Sequence, residues 1–324
     1  MLARRELRFS TLLLVLGLTA LDAQKLPAGA ALTPTAAFKI SSQMVLVPVS
    51  VTDNYGKTIL GLRAKDFSIF DDQKPQQIVS FTNEDVPCSV GMVLDVSGSM
   101  RNALGIAKDG AQAFVRAANP DDEFLLLTVS TLPGAQPAFT SDSAGVAQNI
   151  GFTKSGGMTA LIDTVYLGLN QMKKARHPQR ALIIFSDGMD NHSQYSRNQL
   201  LRAALEADVQ IYTIILPTTP GGTAGNGAPF RPSMIAKPGD RGPQIEGPEL
   251  LETLADKTGG LHFRAHSDVD ARDAVMKVGE ALRNEYVIGF QPAEAGPSGK
   301  AHRIRVTTTL PKVYVHARNS YYAP

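Results

Sequence analysis

The sequence predicts an α/β fold: a doubly wound, mostly parallel sheet, with a small flanking β module that both chain ends build. Two observations carry this prediction. Between residues 87 and 284, short apolar runs alternate with amphipathic helical patterns, as in successive parallel β-α units. On either side of that region, alternating strand patterns occur without helices, and each side has too few strands to bury much core alone.

The β module is predicted to combine residues 44–86 with residues 285–324. Its expected strands are residues 44–52, 67–70 and 78–82 before the domain, and 286–290, 302–309 and 313–317 after it. Alternating valines define the first strand, and Pro48 predicts that this strand lies at a sheet edge. Residues 71–75 are interpreted as a turn. Counting strands favours one joint module, and separate small sheets are the alternative.

The α/β domain is predicted over residues 87–284. Its expected strands are 90–94, 123–129, 181–185, 209–216 and 261–264, and its expected helices cover 104–115, 146–150, 161–172, 200–207, 248–254 and 267–282. The run at 181–185 is the most apolar and is placed at the centre of the sheet. A short hairpin is expected near residues 137–140. Residues 217–247 are rich in Pro and Gly and too long for an ordinary connection, which predicts an inserted surface loop.

The N-terminus has the pattern of a secretory signal peptide over residues 1–23. Three arginines precede an apolar run at residues 10–21, and small residues precede Gln24. The run is about half the length of a membrane-spanning helix, so cleavage is expected rather than an uncleaved anchor. Residues 24–43 are then a flexible leader, and the protein is expected in the periplasm, on the cell surface or in the medium.

Composition narrows the function classes. A formal net charge of +2 over 324 residues gives no electrostatic reason to expect nucleic acid as a partner. After the signal peptide, no segment is long and apolar enough to predict a membrane span. Cys88 is the only cysteine, so an internal disulfide is excluded, and it is interpreted as a buried small hydrophobe rather than a reactive thiol.

Three strand-to-helix turns of the α/β domain carry oxygen side chains. Asp95, Ser97 and Ser99 follow the first strand, Thr159 lies in a glycine-rich loop, and Asp187 follows the central strand. Because parallel strands bring their carboxyl ends to one edge, all five side chains are expected to face one crevice. Two carboxylates and three hydroxyls suit a hard cation such as Mg²⁺, with Mn²⁺ or Ca²⁺ as substitutes. A helix-capping turn would explain one or two of these residues, but not all five.

These residues carry a family resemblance. The segment Asp95-Val96-Ser97-Gly98-Ser99 resembles the Asp-x-Ser-x-Ser signature that begins the metal-ion-dependent adhesion site of von Willebrand factor A domains. The distal threonine and aspartate of that family correspond to Thr159 and Asp187. The resemblance implies a Rossmann-like fold and five metal ligands. It also implies a protein partner that supplies a carboxylate to the open position of the metal.

The segments outside the domain extend the resemblance. Residues 51–76 and 302–322 are similar to the leading and closing parts of exported bacterial "VWFA-related domain" proteins, a group abundant in acidobacteria. Asn319 and Ser320 depart from the Lys-Gly-like pair expected there. The group implies an exported adhesion-type protein. A structural cell-envelope component, in which the metal only stabilises the fold, is the alternative.

Catalytic interpretations find little support in the sequence. There is no Gly-x-Ser-x-Gly motif around a serine, and Ser97 stands where an Asp-x-Asp phosphatase needs an aspartate. His262 and His266 have zinc-like spacing but lack partner ligands, so surface histidines are expected. Asp190 is interpreted as a solvated turn residue, with support of the metal ligands as the alternative, and Ser186 as part of the loop. A non-enzymatic binding protein is therefore expected.

Overall fold

The computed structural model describes residues 44–216, 247–292 and 301–322. The predicted signal peptide, the leader at 24–43 and the inserted loop up to residue 246 lie outside the described residues. Within the described ranges, no helix combines the length and the apolar character that crossing a bilayer requires.

The described residues form the following strands and helices. The strands are β1 (Val45–Thr52), β2 (Phe67–Asp71), β3 (Lys74–Gln76), β4 (Ile78–Thr82), β5 (Cys88–Asp95), β6 (Glu123–Val129), β7 (Gly134–Ala135), β8 (Gln179–Ser186), β9 (Gln210–Ile215), β10 (His262–Arg264), β11 (Tyr286–Phe290), β12 (Ala301–Thr308), β13 (Tyr314–Ala317) and β14 (Ser320–Tyr322). The helices are α1 (Leu104–Ala117), α2 (Ser143–Phe152), α3 (Leu161–Met172), α4 (Arg197–Glu206), α5 (Pro248–Thr258) and α6 (Asp268–Arg283).

The central sheet has six strands in the order β10-β9-β8-β5-β6-β7. All neighbours are parallel except β7, which pairs antiparallel with β6. Strand β5 is buried along its whole length, as expected for a parallel strand covered on both faces. The predicted central strand, β8, lies beside β5 in the middle of the sheet, and β10 lies at an edge.

Helices cover both faces of this sheet, which confirms the doubly wound α/β class. Helices α1, α2 and α6 contribute to one apolar core, and α3, α4 and α5 contribute to the other. Cys88 is buried in the first of these cores, as predicted, and burial raises the pKa of its thiol above the usual range. The sheet is therefore fixed from both sides, and its carboxyl edge carries the turns of interest.

Two antiparallel sheets flank the α/β core, and each combines strands from both chain ends. Their orders are β13-β1-β11-β4 and β14-β12-β2-β3. A single apolar cluster joins the two sheets, with Val47 and Phe67 from the N-terminal segment and Ile288 and Val306 from the C-terminal one. The flanking β module built from both chain ends is thus present in the fold.

The prediction of an edge position for β1 was wrong. Strand β1 lies between β11 and β13. Among the described residues, β13 pairs only with Val49–Thr52 of β1, so at Pro48 only the β11 side carries a neighbouring strand. The missing N–H of Pro48 is therefore tolerated inside the sheet.

Three short strands were not predicted from the sequence. Strand β3 overlaps the end of the turn expected at residues 71–75, β14 was not expected, and the second strand of the β6 hairpin is β7 rather than residues 137–140. Thr140 makes only an isolated bridge to Phe124. Strands of two or three residues carry too little alternation to be read from sequence.

Candidate metal site

The first turn of the site follows β5. Asp95 is the last residue of the strand, and its Oδ1 accepts a hydrogen bond of 2.9 Å from the backbone N–H of Ser97. This bond folds the chain back, so that the Ser97 and Ser99 hydroxyls lie 3.1 Å apart. Asp95 and Ser97 are fully buried, whereas Ser99 is exposed. The turn therefore opens to solvent at Ser99.

The second turn follows β8 and brings Asp187 beside the first. The Oδ1 atom of Asp187 accepts a hydrogen bond from the Met189 N–H at 2.9 Å, whereas its Oδ2 atom is buried without a hydrogen-bond partner. Gly188 adopts a φ of +81°, and a Cβ there would lie 2.8 Å from the Gly247 backbone. Glycine is thus required immediately after the aspartate.

The Thr159 loop joins α2 to α3, so it does not follow a strand as expected, and it is hydrogen-bonded to the other two turns. Gly156 donates its N–H to the Val96 carbonyl at 2.7 Å, and the Gly157 carbonyl accepts from Gly98 N–H at 3.0 Å. On its other side, the Thr159 N–H donates to Asn191 Oδ1 at 2.9 Å. Thr159 is 2% exposed. The loop is therefore held between the Asp95 turn and the segment after Asp187.

Burial gives the two carboxylates unusual protonation behaviour. Desolvation raises the pKa of Asp95 to about 6, although hydrogen bonds from Ser186 and Ser97 oppose the rise, and the nearby charge of Asp187 adds to it. Desolvation also raises the pKa of Asp187, opposed in part by the Met189 N–H and by the nearby Ser99 hydroxyl, which makes no hydrogen bond to Oδ2. Two buried carboxylates that disfavour each other's charge are an environment that a shared cation would stabilise.

The structure thus places Asp187 beside the Asp95 turn: Ser186, the residue before Asp187, donates to Asp95, and the Ser97 and Ser99 hydroxyls lie 3.1 Å apart. It places Thr159 on the loop that is hydrogen-bonded to the Asp95 turn and to the segment after Asp187. All the candidate ligand atoms are oxygens. Asp187 Oδ2 is buried and accepts no hydrogen bond. This donor set fits a hard divalent cation, and binding by these five residues is a prediction.

Sequence reasoning missed three residues that hold these turns. Ser186, taken as part of a loop, is the buried last residue of β8 and donates its hydroxyl to Asp95 Oδ2 at 2.6 Å. Asp190 is not solvated: it is 6% exposed and accepts the Ile162 N–H at the start of α3 at 2.8 Å. Asn191 supplies the acceptor for Thr159. Position directly beside Asp187 was the only signal in the sequence for Ser186.

The comparison with protein families identifies the part of the α/β core that carries the three turns. Residues 90–189, which span all three turns, match the family described as von Willebrand factor type A domain. This part of the chain is a von Willebrand factor type A domain. The wider likeness to exported bacterial proteins stays a prediction, and no curated protein matches the chain.

Solved structures with similar folds include other type A domains. A von Willebrand factor type A protein from Catenulispora acidiphila is 12% identical, with a TM-score of 0.48, over 88% of this chain and 74% of its own. The domain of the pilus tip protein Mfa5 from Porphyromonas gingivalis is 15% identical, with a TM-score of 0.45, over 61% of this chain and 95% of its own.

A third structure holds a metal. It is proximal thread matrix protein 1 from the mussel byssus, with a zinc-occupied MIDAS motif, 16% identical with a TM-score of 0.45 over 65% of this chain and 49% of its own. All three scores lie below 0.5, so no ligand or partner is transferred from these proteins to this chain.

Proposed function

We propose that this protein is an exported, non-enzymatic adhesion module that binds an acidic group of a protein partner through a divalent cation. The observation that carries the proposal is the buried, unpartnered Asp187 Oδ2, next to Ser186, whose hydroxyl donates to Asp95. A buried oxygen without a donor is costly, and a cation is the partner that two carboxylates and adjacent hydroxyls favour. The proposed ligands are Asp95, Ser97, Ser99, Thr159 and Asp187.

Each ligand residue has a distinct role in this proposal. Asp95 and Asp187 supply negative charge, and Ser186 and Met189 orient them through the hydrogen bonds described above. The hydroxyls supply lone pairs without adding charge. When bound, Mg²⁺ would offer an electron-poor position to an incoming carboxylate, and Mn²⁺ or Ca²⁺ could serve in its place. The exposed Ser99 marks the side from which a partner approaches.

Two exposed apolar side chains beside the site support a protein partner. Met158 precedes Thr159 and is 52% exposed, and its N–H donates to Thr131 Oγ1 at 3.0 Å. Leu132, the residue after Thr131, is 78% exposed. Apolar contacts at this rim would exclude water from a carboxylate–cation contact and so strengthen it. A small free carboxylate could not use them.

The hydrogen bonds of the site favour binding over catalysis. A nucleophilic serine needs a base, most often a histidine, within hydrogen-bond distance. Among the described residues, no histidine hydrogen-bonds to Ser97 or Ser99, and His192, the histidine nearest in sequence to Asp187, is exposed. Export is supported by the sequence pattern of the signal peptide alone.

Affinity capture with and without a chelator tests the proposal. Wild-type protein is expected to retain a set of proteins in Mg²⁺ that EDTA releases and that renewed Mg²⁺ restores. Asp95→Ala and Thr159→Ala are expected to lose this set and keep a folded circular dichroism spectrum. Asp121→Ala, an exposed aspartate at the opposite end of the sheet, serves as the control and should behave as wild type.

Identical partners with and without EDTA would overturn the adhesion role. If chelation lowered the melting temperature while partners stayed the same, the metal would serve only the stability of an envelope component. An enzymatic role would instead appear as an activity that survives loss of the metal ligands but not of one histidine.

A further inference from the structure

A second cluster of metal-type ligands lies in the β module, outside the α/β domain that carries the proposed adhesion site. It consists of Asp71 and Asp72, at the end of β2, and His302, near the start of β12. The His302 Nδ1 atom lies 3.3 Å from Asp71 Oδ1 and 3.2 Å from Asp72 Oδ2. The antiparallel pairing of β2 with β12 brings the three residues together.

Burial leaves three polar atoms of Asp71 and His302 without hydrogen-bond partners. Asp71 and His302 are each 7% exposed. Both ring nitrogens of His302 and the Oδ1 atom of Asp71 are buried and make no hydrogen bond. Buried polar atoms are normally satisfied, because leaving them unpaired costs free energy. A cation between His302 Nδ1 and Asp71 Oδ1 would satisfy two of these three atoms.

The other oxygen of each carboxylate is already held. Asp71 Oδ2 accepts a hydrogen bond from the Tyr321 hydroxyl at 3.1 Å. Asp72 Oδ1 accepts the Arg303 N–H at 2.9 Å, from a residue 231 positions away. The Tyr321 ring also packs against His302, with ring centroids 5.2 Å apart. These contacts orient one oxygen of each aspartate toward the imidazole, as outer partners of metal ligands do.

The distances match those between ligands of one small cation. In a tetrahedral zinc site with bonds of 2.0–2.1 Å, neighbouring ligand atoms lie about 3.3 Å apart. The two measured separations, 3.3 Å and 3.2 Å, agree with that edge. All three ligand atoms lie within 4.8 Å of one another. A single proton on Nδ1 could pair with both oxygens only as a shared, weaker bond.

From this geometry we propose that Asp71, Asp72 and His302 form a site for a borderline divalent cation, with Zn²⁺ as the preferred ion. Imidazole nitrogen favours zinc over Mg²⁺, which prefers oxygen ligands only. Three protein ligands leave a fourth position, and the half-exposed Asp72 side chain opens that position to solvent. The ion would join the β2–β3 turn to β12, and so link the two chain ends within the module.

Zinc titration of the full protein against a chromogenic chelator tests the site. Wild type is expected to bind one Zn²⁺ that survives Asp95→Ala, and His302→Gln is expected to weaken it at least about 100-fold. The control is His262→Gln, because His262 is an exposed histidine whose Nε2 lies 3.5 Å from Asp256 Oδ1. It should bind Zn²⁺ as wild type does.

A second variant guards against misfolding. Asp72→Asn keeps an oxygen for the Arg303 N–H and lies partly at the surface, so it should fold and still lose zinc affinity. X-ray absorption of the zinc complex should show imidazole nitrogen in the wild type and none in His302→Gln.

Three outcomes would overturn the proposal. The first is wild-type zinc affinity in both His302→Gln and Asp72→Asn. The second is loss of the zinc with Asp95→Ala, which would place it at the adhesion site. The third is an NMR spectrum, recorded with saturating zinc, in which His302 still carries a proton on Nδ1, since an imidazole that ligates through Nδ1 gives up that proton.

Discussion

The two clusters of acidic residues in this protein differ in their donor atoms and in how the chain assembles them. The first cluster, at the carboxyl edge of the parallel sheet, offers only oxygens, from the turns after the neighbouring strands β5 and β8 and from the loop between α2 and α3. The cluster in the β module includes an imidazole nitrogen, and strand pairing brings it to two aspartates from the other chain end. The position of the first cluster follows from the parallel α/β fold, whereas the position of the second depends on the register of β2 against β12.

The comparison shows that the type of ligand atom, more than the number of carboxylates, determines which metal each cluster is expected to bind. Hydroxyls and carboxylates favour Mg²⁺, whereas imidazole with carboxylates favours Zn²⁺. A chelator strips both ions at once, so EDTA alone cannot assign an effect to either region. Variants that disable one region and spare the other are needed.

The largest effect is expected from Asp187→Asn. The change keeps the shape of the side chain but removes one of two buried charges, so Mg²⁺ affinity should fall at least about 100-fold. Zinc binding in the β module should not change. Calorimetric titration with each ion measures both, and Asp121→Asn is the control. Equal loss of both ions would show that the two regions are not independent.

A buried glutamate between the α/β domain and the β module predicts how the stability of the protein depends on pH. Glu285, just before β11, is buried and accepts hydrogen bonds from the side-chain amides of Gln179 and Gln210. Desolvation raises its pKa from the usual 4.5 of a glutamate to about 7. Between these values the folded state binds more protons than the unfolded state. The free energy of unfolding should therefore fall as pH rises, by about 2 kcal/mol from pH 5 to pH 8.

Glu285→Gln tests this, because an amide does not titrate in that range. We measure the free energy of unfolding by urea in EDTA from pH 5 to pH 8. It should fall less steeply with pH in the variant than in the wild type. Replacing the exposed Glu84 by Gln should leave the wild-type slope. A variant as pH-dependent as the wild type would assign the effect to other groups, such as Asp95.

The loop that carries Thr159 offers a matched pair of glycines. Gly157 has a φ of +83°, and a Cβ there would lie 2.6 Å from Ser130 Oγ, whereas nothing lies within 4 Å of a Cβ at Gly156. Gly157→Ala should cost about 1–3 kcal/mol of stability and weaken Mg²⁺ binding. Gly156→Ala should do neither. Thermal unfolding and Mg²⁺ titration give the result, and equal behaviour of the two variants would contradict it.

The smallest effects are expected from two hydroxyls that each orient one carboxylate. Ser186 donates to Asp95 in the first cluster, and Tyr321 donates to Asp71 in the β module. Ser186→Ala should weaken Mg²⁺ binding about tenfold, and Tyr321→Phe should weaken Zn²⁺ binding by a similar factor. Each variant is the control for the other. An effect on the wrong ion would break the distinction between the two regions.

The sequence predicted those features that local patterns determine. Buried strands such as β5 and β8 are continuous apolar runs, and the side chains at their ends occupy a common edge by the rules of parallel sheets. Ser186, Asp190 and Asn191 were missed because their importance depends on partners in other turns. The cluster at Asp71, Asp72 and His302 was missed because it requires the register of β2 against β12, which no local pattern contains.

The most direct test of the central claim is the position of a bound ion in crystals of the protein soaked with Mn²⁺. Anomalous scattering at the manganese edge should give a peak between Asp95, Ser97, Ser99, Thr159 and Asp187, within bonding distance of oxygens from all three turns. A peak elsewhere, or a manganese ion that contacts the Asp95 turn but neither Thr159 nor Asp187 even through water, would contradict the account.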